Sequence, residues 1–415
     1  MKLLKFYIVI FFSYTLSAQD FTNYLEADGL LDNSVNCVSV DAYDHVWFGT
    51  NSGVSFFDGF TWESYTTDDG LVDNVVKAIY TSSDGSVWVG TDFGLTVYDG
   101  TTPVSYTDED GLGDNRINHI NEDSNGWIWV GERDGLSVFD GEAWTAFTTA
   151  DGLPFGGINH VTFDSNGDKW LASSIFGVVH FDGTTFTTFN TTSGLINNNV
   201  RAIAIDEADN KWVATGQGIS VLDTDNVISD HHTMMLLLPP PDTLNPVVDL
   251  ALDSNGNVWA GIYVDYLISV GGLAVWNGTS WTDYDYVEGA NGLVGPVVRD
   301  LAIDSQNNVW VATSTGVTKI SGVQLSLPDL SEEANVEIYP NPSSSNLIVR
   351  TELQIHDFRL INTAGCELTC PSLASVNGLQ LDVTILDKGF YILDLKTEHQ
   401  NVRKPLLINR KATSY

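Results

Sequence analysis

The sequence predicts an all-β chain: a seven-bladed β-propeller followed by a small C-terminal β-sandwich. Three observations predict it. Trp47, Trp88, Trp129, Trp170, Trp212, Trp259 and Trp310 stand in one local phrase, at spacings of 41, 41, 41, 42, 47 and 51 residues. A Gly-Leu pair precedes six of them by 18 residues, at Gly29, Gly70, Gly111, Gly152, Gly194 and Gly292. Each period divides into four short apolar runs separated by turn residues, the pattern of a propeller blade.

Within a period the elements follow in order. The first strand begins just past the Gly-Leu loop, as at Val76 to Tyr80, and ends in a polar turn such as Asp253-Ser254-Asn255-Gly256-Asn257. Asx and Gly residues suit such hairpins because they tolerate positive φ. The second strand carries the tryptophan. The third is apolar and ends in Asp-Gly, as at Asp58-Gly59, Asp99-Gly100, Asp140-Gly141 and Asp182-Gly183. The fourth holds two aromatics three apart: Trp62 with Tyr65, Trp144 with Phe147, Phe186 with Phe189. A single blade leaves its tryptophan uncovered. Burying one removes about 150–250 Å² from water, at most roughly 4–6 kcal/mol, and only when the next blade packs on it. The ring is therefore expected to fold as one unit.

Closure is also readable. After Trp310 comes a third strand around Gly316 to Ile320, but no aromatic fourth strand. Phe21 and Tyr24 precede Gly29 by eight and five residues, as Trp62 and Tyr65 precede Gly70. The N-terminal strand is thus expected to complete the last blade and leave no open edge.

The ends carry other signals. Lys2 and Lys5, the apolar run Phe6 to Leu16 and the small pair Ser17-Ala18 read as a signal peptide over residues 1–18. The propeller then spans 19–324, a linker 325–333 and the C-terminal domain 334–415. No apolar run approaches the ~20 residues that a transmembrane helix needs. The net charge is −36, from 18 basic and 54 acidic residues. Eight basic residues lie between the leader and Glu332: Lys77, Arg116, Arg133, Lys169, Arg201, Lys211, Arg299 and Lys319. After Ala334 eight basic residues balance eight acids, so the negative excess belongs to the propeller. That excludes nucleic acid as a partner and disfavours anionic membrane surfaces. Of three cysteines, Cys37 is expected buried in a strand. Cys366 and Cys370 would bridge across a tight turn, or lie about 13 Å apart in a straight strand. No cofactor is expected.

Asp69-Gly70-Leu71 with Asn74, and the phrase Asp-x-x-Gly-x-x-Trp-x-Gly-Thr, resemble the two-component regulator propeller repeat over about residues 20–325. In that family the repeats form periplasmic sensors of hybrid histidine kinases, often responding to glycans. No kinase follows residue 325 here, so phosphotransfer is not expected of this chain. Ile338-Tyr339-Pro340-Asn341-Pro342, Leu386-Asp387-Lys388-Gly389-Phe390-Tyr391 and the basic finish Arg410-Lys411 are similar to the sorting domain of the type IX secretion system of Bacteroidetes. The resemblance implies recognition by that machinery through residues 334–415 and export to the outer surface, with removal of the domain and attachment to a surface lipopolysaccharide as further family behaviour.

Two candidate sites follow. The repeat loses its rhythm at about Asp223 to Pro246, with His231-His232, at Ile262 to Gly271, and at Tyr284 to Ala290. All three are expected on the face where the fourth-to-first and second-to-third strand connections open. There Tyr263, Asp265, Tyr266, Tyr284 and Tyr286 offer ring faces and carboxylates suited to a glycan or a protein. The second site is the channel mouth, where two series recur in register. One is Asn36, Lys77, Asn118, Asn159, Arg201, Val248 and Arg299; the other is Cys37, Ala78, His119, His160, Ala202, Asp249 and Asp300. One series is expected to face the channel, and Asn118, Asn159, Arg201 and Arg299 are its candidate ligand residues. The function expected is an exported binding module rather than an enzyme. The alternatives are a propeller lyase or hydrolase using the mouth histidines and carboxylates, or a structural surface component. Asp164 to Asp168 resembles a calcium loop, but Lys169 stands where glycine is required, so a hairpin is expected there.

Overall fold

The computed structural model describes residues 20–100, 102–154, 156–233, 246–264, 270–285 and 292–322, and in the C-terminal part 337–339, 346–350, 355–362, 367–368, 371–375, 378–384, 386, 389–397 and 401–408. The chain divides into two compact units, Met1–Ser326 and Leu327–Tyr415. The leader, the linker and both C-terminal cysteines lie outside the described residues.

The first unit is a propeller of seven four-stranded antiparallel sheets. Blade one consists of Val35–Val40, Val46–Thr50, Val54–Phe57 and Trp62–Tyr65. Five more blades repeat this order. Blade seven takes Val298–Ile303, Val309–Thr313 and Gly316–Ser321 from the end of the unit and Asp20–Tyr24 from its start, with Asp20 opposite Ser321 and Tyr24 opposite Val317. The expected closure is therefore the observed one.

The tryptophans lie between blades. Each stacks on, or leans against, the second aromatic of its own fourth strand: Trp129 on Phe147 at 6.0 Å, Trp259 on Tyr284 at 5.9 Å, Trp310 on Tyr24 at 5.8 Å. The other side meets the next blade, as where Trp88 packs against Phe139 and Trp144. Trp170 and Trp259 are fully buried. The Asp-x-x-Gly-x-x-Trp phrase has a local cause. An aspartate six residues before the tryptophan closes the hairpin by accepting backbone N–H groups, and its second oxygen accepts the indole N–H. Asp123, Asp164, Asp206, Asp253 and Asp304 do this at 3.0–3.2 Å.

The Gly-Leu loop is equally determined. Gly70 has φ +105°, a left-handed conformation that favours glycine, and ends a single 3-10 turn capped by Thr66 and Asp69. Leu71 beyond it is buried. Asn74 accepts the Thr67 N–H at 2.8 Å, which accounts for its place in the repeat. The glycine after the tryptophan serves close packing, since a Cβ on Gly90 would sit 2.5 Å from Ile117 of the next blade.

The second unit has two four-stranded antiparallel sheets. Leu347, Val349, Leu379 and Leu381 from one, and Leu360, Tyr391, Leu393, Leu395 and Ile408 from the other, form one core. Two sheets sharing an apolar core are the sandwich that the sequence predicts.

Candidate functional site at the channel mouth

All seven innermost strands carry a β-bulge at the same step, for example between Val35 and Cys37 and between Val298 and Asp300. A bulge sets two residues against one and turns both toward the same side. The expectation that one series faces the channel is corrected for that reason. Both series, Ala202 excepted, line an axial cavity of ≈ 390 Å³, which reaches deeper to Ser39, Tyr80, Asn121 and Ile303.

The bulge also leaves backbone groups unmatched, and the two series satisfy them across blade boundaries. Asn36, Asn118 and Asn159 donate to the carbonyls of Val76, Ile158 and Val200 at 2.8, 3.1 and 2.8 Å. Arg299 Nη1 donates to the Val35 carbonyl, to Ser34 Oγ and to Asn36 Oδ1. In the second series Asp249 accepts the Leu301 N–H at 2.9 Å and Asp300 accepts the Val38 N–H at 2.7 Å. His119 Nδ1 accepts the Val161 N–H at 3.3 Å. These residues belt the ring together.

Depth in the channel fixes their ionisation. Burial pushes Asp249 up to about 6. Burial and the neighbouring Asp249 charge raise Asp300 well above the carboxylate range, so the pair keeps a proton that isolated carboxyls would lose. The rings of His119 and His160 lie 4.0 Å apart, tilted by 36°. Burial lowers both, His160 to about 4, and both imidazoles are neutral near pH 7. His160 Nδ1 is buried without a hydrogen-bond partner.

The loop candidates divide differently. Blade six is built with longer middle strands, Val258–Val264 and Val270–Trp276, so the irregular stretch after Ile262 is an extended hairpin pairing Tyr263 with Gly271. Asp265, Tyr266 and Tyr286 lie outside the described residues, as does the side chain of Tyr263. Tyr284 is corrected from loop to strand. It lies in Trp281–Asp285, stacked on Trp259 and edge-on to Phe21 at 6.0 Å, as the second member of its blade's aromatic pair. The stretch from Asp223 is corrected too. Its first part is a turn at the opposite end of the blade, and His231-His232 belong to the strand Ile228–His232. There His232 takes the aromatic position and stacks on Trp212 at 5.3 Å.

Among the described residues one set of ligand-type atoms comes within 4.8 Å, those of Asp164, Asp168 and His180. Asp164 is engaged by the N–H groups of Asn166 and Asp168 and by the Trp170 indole, and Asp168 by His180 at 3.0 Å. This is the hairpin common to the blades. Cys37 is a buried free thiol in the second series. Sequence reasoning missed Glu132. It is fully buried where four other blades place a threonine and one a serine, accepts the Gly113 N–H, and has a carboxyl raised to about 7 by burial.

Comparison with known proteins agrees with this architecture. The two component regulator propeller family matches at residues 29–52, 70–93, 111–133 and 292–315. The secretion system C-terminal sorting domain matches at residues 337–409. The chain is a propeller of two component regulator repeats that ends in a secretion system sorting domain. Such a domain implies recognition by the type IX machinery and secretion to the cell surface.

Among solved structures, the chain is similar to the extracellular domain of a hybrid two component system from B. thetaiotaomicron, with 16% identity over 95% of this chain and 61% of that one, TM-score 0.64. It is similar to PorZ, a surface component of the type-IX secretion system of Porphyromonas gingivalis, with 18% identity over 92% and 60% and TM-score 0.57. It is also similar to virginiamycin B lyase from Staphylococcus aureus, with 15% identity over 73% and 98% and TM-score 0.57. The chain thus spans about three fifths of the length of the first two, and likeness at these identities concerns the fold. The comparison with curated proteins gives no match. Among the described residues no helix is long and apolar enough to cross a membrane.

Proposed function

We propose that the chain is an exported binding module that takes an extracellular ligand, a glycan or a protein, at the channel-mouth face of its propeller. The observation that carries the reading is the axial cavity of ≈ 390 Å³, lined by a recurrent ring of asparagine, lysine and arginine side chains. A rigid closed ring with polar groups converging on a cavity is a preformed ligand site. Tyr263, Asp265, Tyr266 and Tyr286, named from the sequence, are its further contact residues in this reading. The sorting domain supports action outside the cell, and removal of that domain with attachment to lipopolysaccharide belongs to the same proposal.

The full chain, screened on a glycan array and against extracellular proteins, is expected to bind, and Tyr263→Ala with Tyr266→Ala to weaken that binding. Absence of any ligand in both screens would count decisively against the module. A catalytic reading is favoured by one observation, the His119–His160 contact in the cavity wall. It requires turnover of a bound ligand that disappears in His119→Ala.

A further inference from the structure

We infer that the ligand at the channel mouth carries a compact oxyanion, a carboxylate, sulfate or phosphate group, received by Lys77, Arg201 and Arg299. The inference rests on the reading above and names its ligand class.

The eight basic side chains of the propeller divide by position. Lys169, Lys211 and Lys319 stand at the hairpin end, with ammonium groups 5.0, 5.0 and 4.9 Å from the ring centroids of Trp129, Trp170 and Trp310. The other five stand at the mouth end. Two of these are off the axis on blade three, where Arg116 is tied to Asp114 and Asp134 and Arg133 lies in the adjacent turn. The remaining three occupy bulge positions on blades two, five and seven and line the cavity.

The other bulge positions are Asn36, Asn118, Asn159 and Val248. The first series thus holds three cations and no carboxylate, in a chain of net charge −36. The acids of this end include Asp68, Asp69, Asp108, Glu109 and Asp110, in the exposed 3-10 turns. One step deeper, Asp249 and Asp300 bind backbone N–H groups of the neighbouring blades.

Cations converging on one cleft focus field on its axis, whatever the net charge of the body. Arg299 is already oriented by Ser34, Val35 and Asn36, which lowers the ordering cost of binding. Lys77 is 3.8 Å from Asp92, with both side chains exposed, a weak pairing that a ligand displaces readily. Guanidinium forks match the paired oxygens of carboxylate, sulfate and phosphate.

Calorimetry on the full chain with glucuronate, glucose, inorganic sulfate and inorganic phosphate tests this. Glucuronate is expected to bind and glucose not to, with affinity falling as ionic strength rises. Lys77→Gln and Arg201→Gln are each expected to weaken binding about tenfold, and Arg116→Gln to leave it unchanged. Near-UV circular dichroism verifies that the variants are folded. Sulfate or phosphate binding as tightly as glucuronate supports the inference and identifies a free oxyanion as the source. It is overturned if none of the three anions binds, or if folded Lys77→Gln and Arg201→Gln keep full anion affinity. A neutral glycan bound equally by both variants would overturn the inference while leaving the binding module standing.

Discussion

At the hairpin end of the ring the polar groups mostly close on themselves, whereas at the channel mouth they reach from blade to blade. Asp253 shows the first arrangement. Its carboxylate holds its own turn and its own tryptophan, within one repeat. Asn159 shows the second, since its amide serves a carbonyl that belongs to the next blade. The difference teaches why one end is monotonous in sequence and the other varied. A contact made inside the repeat favours the same residue from blade to blade, as the aspartate that holds the indole does in five of the seven. A contact made across a boundary accepts whatever pairing the two neighbours provide, and asparagine, arginine, histidine and aspartate all serve. The hairpin end is not wholly local, for Ser305 binds Asp44 between blades seven and one at 2.8 Å.

The contrast can be broken in graded steps. Trp259→Ala removes a fully buried indole from between two blades and is expected to cost about 3–5 kcal/mol in urea unfolding. A much smaller loss would mean that the blades do not depend on these side chains for their packing.

At the mouth end, Glu132 makes the comparison depend on pH. Its carboxyl is raised by burial to about 7, so the folded state retains a proton that the unfolded chain has lost. The stability it confers is complete below the unfolded value near 4.3 and is lost as pH rises toward 7, by roughly 1.4 kcal/mol per unit at the steepest. Relative to Glu132→Gln, the natural protein is therefore expected to lose stability over that window and to level off above it. Parallel stability curves for the two proteins would show that the group is not held protonated.

Asp253→Ala strips the hairpin of an acceptor for two backbone N–H groups and an indole. A loss of about 1–3 kcal/mol is expected by chemical denaturation. The smallest effect belongs to Lys169, whose ammonium sits over Trp129. Lys169→Met should lower stability by about 0.5–1 kcal/mol and should be insensitive to any ligand at the mouth.

The ring and its closure were legible because tryptophan, Gly-Leu and Asp-Gly recur at fixed intervals. The placement of Phe21 and Tyr24 followed from the same spacing. The bulge was not legible, because residues as different as Asn36, Lys77 and Val248 occupy it and backbone register leaves no common side-chain mark. The broken rhythm around Tyr284 suggests a loop, yet Trp281 and Tyr284 stand three apart, like Trp62 and Tyr65, so the strand signal is present. His232 carried a weaker one, since an imidazole there fills a position held elsewhere by tyrosine or phenylalanine. Glu132 and Ile262 interrupt a column of threonine and serine, and the place of Glu132 in that column is the signal for its burial. The two mouth series are legible from their shared register, but their ties to neighbouring backbone depend on how blades abut, which no single repeat encodes.

The pairing of Asp20–Tyr24 with Gly316–Ser321 has a consequence for the order of events in the life of the chain. Thr318 hydrogen-bonds to Asn23 across 295 positions of sequence. Until both segments are available, the sheets form an open row whose last member lacks a partner strand and whose first and last members do not meet. A molecule only partly delivered across a barrier therefore stays unlatched, and it locks once its final propeller strand arrives. Completion of the circle thus waits on two segments that lie almost a whole propeller apart in sequence.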